Sequence, residues 1–173
     1  CSSCLHKLPP LLLAAIVLFL NGCADQKKHA QQLVAEGTEL RGAGRHAEAL
    51  QKLSQAVALA PDLADAHFGR GLCLTSLQRP AEAVLALENA VRLKPRWGEA
   101  LQALGLAQLN DNDLTAAERS LSQAVEVDSR LTAAWFARSR IRLQSLQEVA
   151  ALHDLDTVIQ KSPEHTAARL QRA

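Results

Sequence analysis

A chain of 173 residues is long enough for one compact domain or for a short array of repeats. Hydrophobic residues make up 48% but aromatic residues only 3%, so any core is built from Leu, Ala and Val, a composition that favours helix. Without residues 1–22, whose only charged residue is Lys7, the chain is neutral. Such a chain lacks the positive surface that phosphate backbones require, which argues against nucleic-acid binding and against a polybasic membrane-surface role.

The first element is an apolar run of ten residues, Leu11–Leu20, which His6 and Lys7 precede. At 1.5 Å per helical residue the run spans roughly 15 Å, about half of the hydrocarbon core of a bilayer. This length is typical of the core of a signal peptide and short for a transmembrane helix. We therefore expect residues 1–22 to be a signal peptide and residues 23–29 to form a solvated spacer.

The four residues Leu20-Asn21-Gly22-Cys23 resemble the lipobox of bacterial lipoproteins. In that family the cysteine sulfur is acylated and the chain is cut just before it, so the resemblance implies that Cys23 is lipidated. Ala24, in place of Asp after that cysteine, implies sorting to the outer membrane, facing the periplasm. Two alternatives stay open: cleavage after Ala24 would give a soluble periplasmic protein, and an uncut segment would act as a short anchor.

The rest of the chain is an internal repeat, because the same residue types return at one constant spacing. Five columns carry the repeat: Pro61, Pro95, Ser129 and Pro163; Gly37, Gly71, Gly105 and Ser139; Ala49, Ala83, Ala117 and Ala151; Leu53, Leu87, Leu121 and Leu155; Ala56, Ala90, Ala124 and Val158. Ala49, Leu53 and Ala56 fall at i, i+4 and i+7, so they line one face of a helix. Gly37, on a helix predicted over residues 30–42, lets the paired helix approach closely. The pattern predicts an all-α stack of helical hairpins, each burying its apolar face on the next.

Turn-forming residues join the helices of each hairpin, and prolines end the second helix. The predicted turns are Gly42-Ala43-Gly44, Gln78-Arg79-Pro80 and Asn110-Asp111-Asn112-Asp113.

These columns resemble the tetratricopeptide repeat, with a small residue at the eighth place, Ala at the twentieth and Pro at the thirty-second. The resemblance covers residues 30–163 and implies a solenoid of four repeats, residues 30–63, 64–97, 98–131 and 132–165, with a partial fifth repeat or cap helix at residues 166–173. The sequence departs from the family at the fourth place, where Trp occurs only as Trp135 and His67 stands in the second repeat.

The resemblance also implies that a partner binds along the concave surface of the first helices. The groove residues expected from it are Val34, Thr38, Phe68, Leu72, Leu106, Leu109, Phe136, Arg140 and Leu143. The groove lacks the Lys and Asn with which some family members clamp a carboxylate, so its apolar side chains favour a helix or an extended peptide with apolar anchors. The alternative is that these side chains pack against neighbouring repeats or the cap.

Residues that carry catalysis or bind metals are not arranged for either purpose. The six histidines lack metal-ligand spacing, and His153, Asp154 and Asp156 do not converge on one point of a helix. Cys1 and Cys4 lie in the signal segment, and Cys73 falls at a place where small buried residues are usual. We therefore expect no enzyme activity, no cofactor and no metal.

An ion pair is expected between Arg138 and Asp154 or Asp156 on the next helix; the alternative is that Arg138 extends to solvent. Two functional classes remain for the whole chain. The first is an envelope adaptor that recruits another protein. The second is a structural subunit of an envelope assembly such as a pilus or secretion system.

Overall fold

The computed structural model describes the backbone of residues 10–172 and the side chains of residues 25–172. Within these residues the chain forms nine α-helices and no strand, so the all-α prediction is confirmed. The helices are α1 (Pro10–Gly42), α2 (His46–Leu59), α3 (Ala64–Ser76), α4 (Pro80–Leu93), α5 (Gly98–Asn110), α6 (Leu114–Val127), α7 (Thr132–Gln144), α8 (Glu148–Lys161) and α9 (Thr166–Arg172).

Consecutive helices pair into four hairpins, α1/α2, α3/α4, α5/α6 and α7/α8, and α9 packs on the last of them. Each second helix packs against the first helix of the next hairpin, and the first helices also contact one another in order. The first helices therefore form the inner layer of a helical solenoid, and the second helices form its outer layer.

The core lies along the hairpin seams and is built from the repeated alanines and leucines. Leu53, Leu87, Leu121 and Leu155 are fully buried, as are the alanines of the twentieth place. Each of the three repeated glycines faces the Leu of its paired helix. A methyl group at Gly37, Gly71 or Gly105 would lie 2.7, 2.5 or 2.6 Å from the Cγ of that leucine. The close approach predicted from the glycine column is therefore present.

Helix α1 is longer than the segment over residues 30–42 that the sequence predicted, because it begins at Pro10. Residues 25–29 are exposed and helical, so they continue the helix where a spacer was expected. Lys27 also ties this turn of α1 to Asp62 through an ion pair of 2.8 Å. The signal segment and the proposed lipidation site, Cys23, lie outside the residues whose side chains are described. Across residues 25–172, no helix has the length and apolar character needed to cross a membrane.

The turns inside the hairpins share one backbone feature, which recurs at the fifteenth place of every repeat. Gly44, Gln78, Asn112 and Leu146 have φ angles of 75°, 57°, 66° and 58°, which is the left-handed region. The residue that follows each of them takes the N-cap position of the second helix. Among these four residues, Asp113 caps its helix with the side chain, which accepts a hydrogen bond from the amide of Ala116. Pro80 is the first residue of α4 and not part of the turn, since proline suits the first helical position.

A buried ion cluster joins α6, α7 and α8, and it confirms the ion pair expected for Arg138. The guanidinium of Arg138 donates to both oxygens of Asp154, at 2.9 and 2.7 Å. Arg142 donates to the same carboxylate at 3.0 Å and to Glu118 at 2.9 Å. Asp156 points outward and pairs with Arg172. The choice between the two acids follows from helix geometry, because Asp154 shares its face with buried Ala151 and Val158.

Candidate partner-binding groove

The nine predicted groove residues all lie on first helices. Thr38 and Arg140 are exposed, and the seven apolar side chains are half-buried. They line α1 (Val34, Thr38), α3 (Phe68, Leu72), α5 (Leu106, Leu109) and α7 (Phe136, Arg140, Leu143).

Most of the apolar groove residues also belong to the core. Phe68 packs on the cluster around Leu87, Leu106 and Leu109 on the cluster around Leu121, and Phe136 on the cluster around Leu155. Leu72 and Leu143 are not among the residues packed on these clusters. The packed part of these side chains thus stabilises the fold, and their exposed part is the surface that a partner can cover.

An aromatic residue outside the predicted groove set extends this surface. The ring of Trp97, in the turn between α4 and α5, lies 4.4 Å from that of Phe68 between centroids. Lys94 Nζ lies 4.7 Å from the centre of the indole and also pairs with Asp65 at 3.0 Å. A signal for Trp97 was present in the sequence, since aliphatic Leu63 and Leu131 occupy its place in the neighbouring repeats.

A shallow depression of about 700 Å³ opens beside Trp97 and is lined by Lys94, Pro95, Arg96 and Trp97. The start of α3 and the turn before α5 therefore present an aromatic surface with a cation on it, at one edge of the groove.

The last repeat carries a second aromatic contact. The ring centroids of Phe136 and His165 are 4.6 Å apart. His165 precedes α9, and its Nδ1 accepts a hydrogen bond of 3.1 Å from the amide of Ala168. The first turn of α9 thereby fixes the ring that borders the groove at its C-terminal end.

A polar side chain of the inner layer beside the groove lacks a partner among the described residues. The Oε1 atom of Gln102 on α5 is buried and accepts no hydrogen bond from that part of the chain. Gln102 takes the fifth place of its repeat, where Phe68 and Phe136 stand in theirs. Because a buried acceptor is normally satisfied, Oε1 is suited to receive an N–H from a bound chain.

The remaining candidates for chemistry are Cys73, His153 and Asp154. Burial raises the pKa of the Cys73 thiol, with the charge of Arg41 opposing the shift, so Cys73 stays protonated and unreactive. Asp154 is engaged by arginines, and His153 is 72% exposed. Within residues 25–172, no group of three His, Cys, Asp or Glu side chains is placed to hold a metal ion.

The helices form a stack of two-helix units of equal length, with the first helices in the inner layer. This arrangement defines a helical-repeat protein. Two family models, each described as a tetratricopeptide repeat, match residues 34–97 and residues 98–130, together more than half of the chain. The chain belongs to the tetratricopeptide repeat family.

Solved structures show the same fold. YrrB, described as a TPR protein with an unusual peptide-binding site, is 22% identical, with a TM-score of 0.76 over 89% of this chain and 79% of that one. The pilF protein of Pseudomonas aeruginosa is 16% identical, with a TM-score of 0.75 over 86% of this chain and 68% of that one. The first TPR of Spaghetti (RPAP3), bound to the HSP90 peptide SRMEEVD, is 20% identical, with a TM-score of 0.67 over 70% of this chain and 95% of that one. No curated protein matches the sequence.

Proposed function

We propose that this chain is a non-catalytic protein–protein interaction scaffold that binds a peptide or helix of its partner in the groove of the first helices. The observation that carries the proposal is the row of half-exposed apolar side chains on α3, α5 and α7. Beside them lies the Oε1 atom of Gln102, which has no partner within residues 25–172. Two of the similar structures are described with a peptide-binding site or a bound peptide, which supports the mode of binding without naming a partner.

The groove favours a modest affinity. Covering the free half of four apolar side chains contributes roughly 3–6 kcal/mol, and association costs about 4–15 kcal/mol. A partner therefore needs further contacts, for which the exposed Arg140 guanidinium, the Gln102 acceptor and the Trp97 edge are available.

We further propose that the scaffold acts in the bacterial cell envelope, anchored to the outer membrane through a lipid on Cys23. The lipobox-like sequence before Cys23 supports this location. Residues 25–29 would then hold the repeats away from the membrane as a helix, since α1 runs through them without a break.

A peptide-display library selected on the full chain tests the groove. Leu72→Glu combined with Leu143→Glu is the decisive variant, because both residues belong to the predicted groove and neither is packed on a core cluster of the described residues. Val149→Glu, at a side chain 84% exposed on the outer layer, is the matched control. We expect selected peptides to lose binding to the groove variant and to keep it on the control. Peptides that bind both variants alike would overturn the proposal, provided that circular dichroism shows both to be folded.

A further inference from the structure

Two facing places of each repeat, the seventh and the twenty-third, differ in charge from repeat to repeat. They are Glu36 and Lys52 in the first hairpin, Arg70 and Ala86 in the second, Leu104 and Ser120 in the third, and Arg138 and Asp154 in the fourth. The first and fourth hairpins form ion pairs there, of 2.8 and 2.7 Å. The third hairpin carries no charge at these places. The second alone carries one charge.

Arg70 has no counter-ion among residues 25–172. Its Nε is buried and has no hydrogen-bond partner in that part of the chain. Because buried N–H groups are normally hydrogen-bonded, the Nε–H of Arg70 is suited to donate to an acceptor on another molecule.

The Arg70 side chain lines a cleft of about 210 Å³ between α2 and α4, on the outer layer of the solenoid. Ser54 of α2 and exposed Leu85 of α4 also line it. Arg79 and Glu82 complete the charges of the cleft and bond to each other at 2.6 and 2.7 Å. Because that pair neutralises itself, Arg70 is the uncompensated charge, and the cleft as a whole is positive.

The fourth hairpin shows what the same framework does with a carboxylate. Arg138 grips Asp154 with two hydrogen bonds, and its Nη1 donates to Ser122 Oγ at 3.1 Å. Arg70 and Ser54 stand two repeats before Arg138 and Ser122. The surroundings of Arg70 therefore retain the serine on the second helix of the preceding hairpin, and they lack the carboxylate because Ala86 of α4 takes the place of the aspartate.

We propose that this cleft binds the carboxylate of an Asp or Glu side chain of a partner protein, which supplies in trans the group that Asp154 supplies in cis. A bidentate arginine–carboxylate contact is specific in geometry as well as charge. Leu85, 60% exposed at the mouth of the cleft, contacts an apolar residue next to that acid, which favours a protein side chain over a free carboxylate. The site lies on the layer opposite the groove and is independent of it.

The test follows the Arg70 Nε–Hε resonance of the ¹⁵N-labelled full-length chain by NMR. The probes are the blocked dipeptide acetyl-Leu-Asp-amide, acetate, and chloride at matched ionic strength. We expect a saturable shift with the dipeptide, saturation by acetate at about tenfold higher concentration because it lacks the apolar contact, and no saturable shift with chloride. A dipeptide without effect, acetate saturating as early, or an equal response to chloride would each overturn the proposal.

Ala86→Asp gives an occupied control, since it restores the acid of the fourth hairpin. We expect it to abolish the response to the dipeptide, to raise Tm in the parent chain, and to lower Tm when combined with Arg70→Leu. An equal fall of Tm in both backgrounds would show that Arg70 cannot reach a carboxylate in this cleft, and the proposal would be wrong. The dipeptide titration of the parent chain decides the matter if the variant does not fold.

Discussion

His67 and Trp135 make the same hydrogen bond with different rings. Nε2 of His67 lies 3.0 Å from the carbonyl oxygen of Pro61, and Nε1 of Trp135 donates to the carbonyl oxygen of Ser129 at 3.0 Å. Both rings take the fourth place of their repeats and reach back to the start of the preceding turn. The fourth place thus ties the first helix of a unit to the turn before it, and in the second repeat a titratable ring does this.

The histidine gives the second repeat a sensitivity to acid. Burial lowers the pKa of His67, with the charges of Arg70 and Arg92 acting the same way and the bond to Pro61 opposing them. Its other ring nitrogen, Nδ1, is buried without a partner in the described part of the chain, so a proton there gains no acceptor. The folded pKa of His67 is below the unfolded value of 6.5. The stability that the neutral ring contributes is therefore fully present above pH 6.5, and it is lost as pH falls through the folded pKa.

We expect His67→Leu to reduce the loss of Tm between about pH 7.5 and pH 5, measured by circular dichroism. Leucine fits because Leu33 and Leu101 take the same place in repeats one and three and are buried. His29→Leu, at an exposed residue of α1, is the control and should keep the pH dependence of the parent chain. An identical slope for the His67→Leu variant and the parent chain would contradict the assignment.

Removal of the acid from the buried cluster should be costly. Asp154→Ala leaves the guanidinium groups of Arg138 and Arg142 facing each other without their shared carboxylate. Breaking a buried pair in this way costs about 3–5 kcal/mol, to be read from urea unfolding. Asp156→Ala removes the exposed partner of Arg172 and should have little effect. Similar effects of the two variants would mean that the buried cluster contributes no more than a surface pair.

The turn between α7 and α8 holds a leucine where glycine is preferred. Leu146 has a φ of 58° and is 84% exposed, so its side chain gains no packing for the strained backbone. Leu146→Gly should raise the free energy of unfolding by about 1 kcal/mol, measured with urea. Val149→Gly, equally exposed but in the first turn of α8, should lower it by about 0.3 kcal/mol. Destabilisation by both changes would refute the argument from φ.

The proposed anchor can be tested in cells. Expression of the complete gene with labelled palmitate should label the protein, and Cys23→Ser should abolish the label. Globomycin, which blocks the lipoprotein signal peptidase, should cause the uncut precursor to accumulate. Cys73→Ser is the control and should retain the label. Unlabelled protein released in soluble form from the periplasm would instead support the alternative of conventional cleavage.

The constant spacing of the repeated columns was sufficient for the all-α hairpin architecture, because each column maps onto one physical requirement. Leu53 and its counterparts fill the seam, and Gly37 and its counterparts give room for them. The pairing of Arg138 was also accessible, since an arginine at a buried place needs an acid within reach. Whether Arg138 pairs with Asp154 or Asp156 depends on which of the two acids lies on the buried face of α8. The separation of the residues along the sequence does not specify that face.

Three features of the molecule were not predicted from the sequence. The stacking of Trp97 on Phe68 joins the turn before α5 to a helix of the preceding hairpin. The lack of an acid beside Arg70 depends on Ala86, which as an alanine looks like every other buried alanine. Helix α1 starts before the first repeat because nothing in residues 25–29 stops it, whereas the repeat pattern shows only where similarity begins.

The contact between Gly71 and Leu87 also governs the shape of the solenoid. The distance between α3 and α4 is limited by the leucine side chain alone, because the glycine adds nothing to it. In the last hairpin Ser139 brings a Cβ to the same place, and its hydroxyl bonds within its own helix to the carbonyl of Phe136 at 2.7 Å. A larger residue at any glycine position of this column would push the two helices of its hairpin apart and tilt every later unit. The curvature available to a partner is thus set by atoms that the partner never meets.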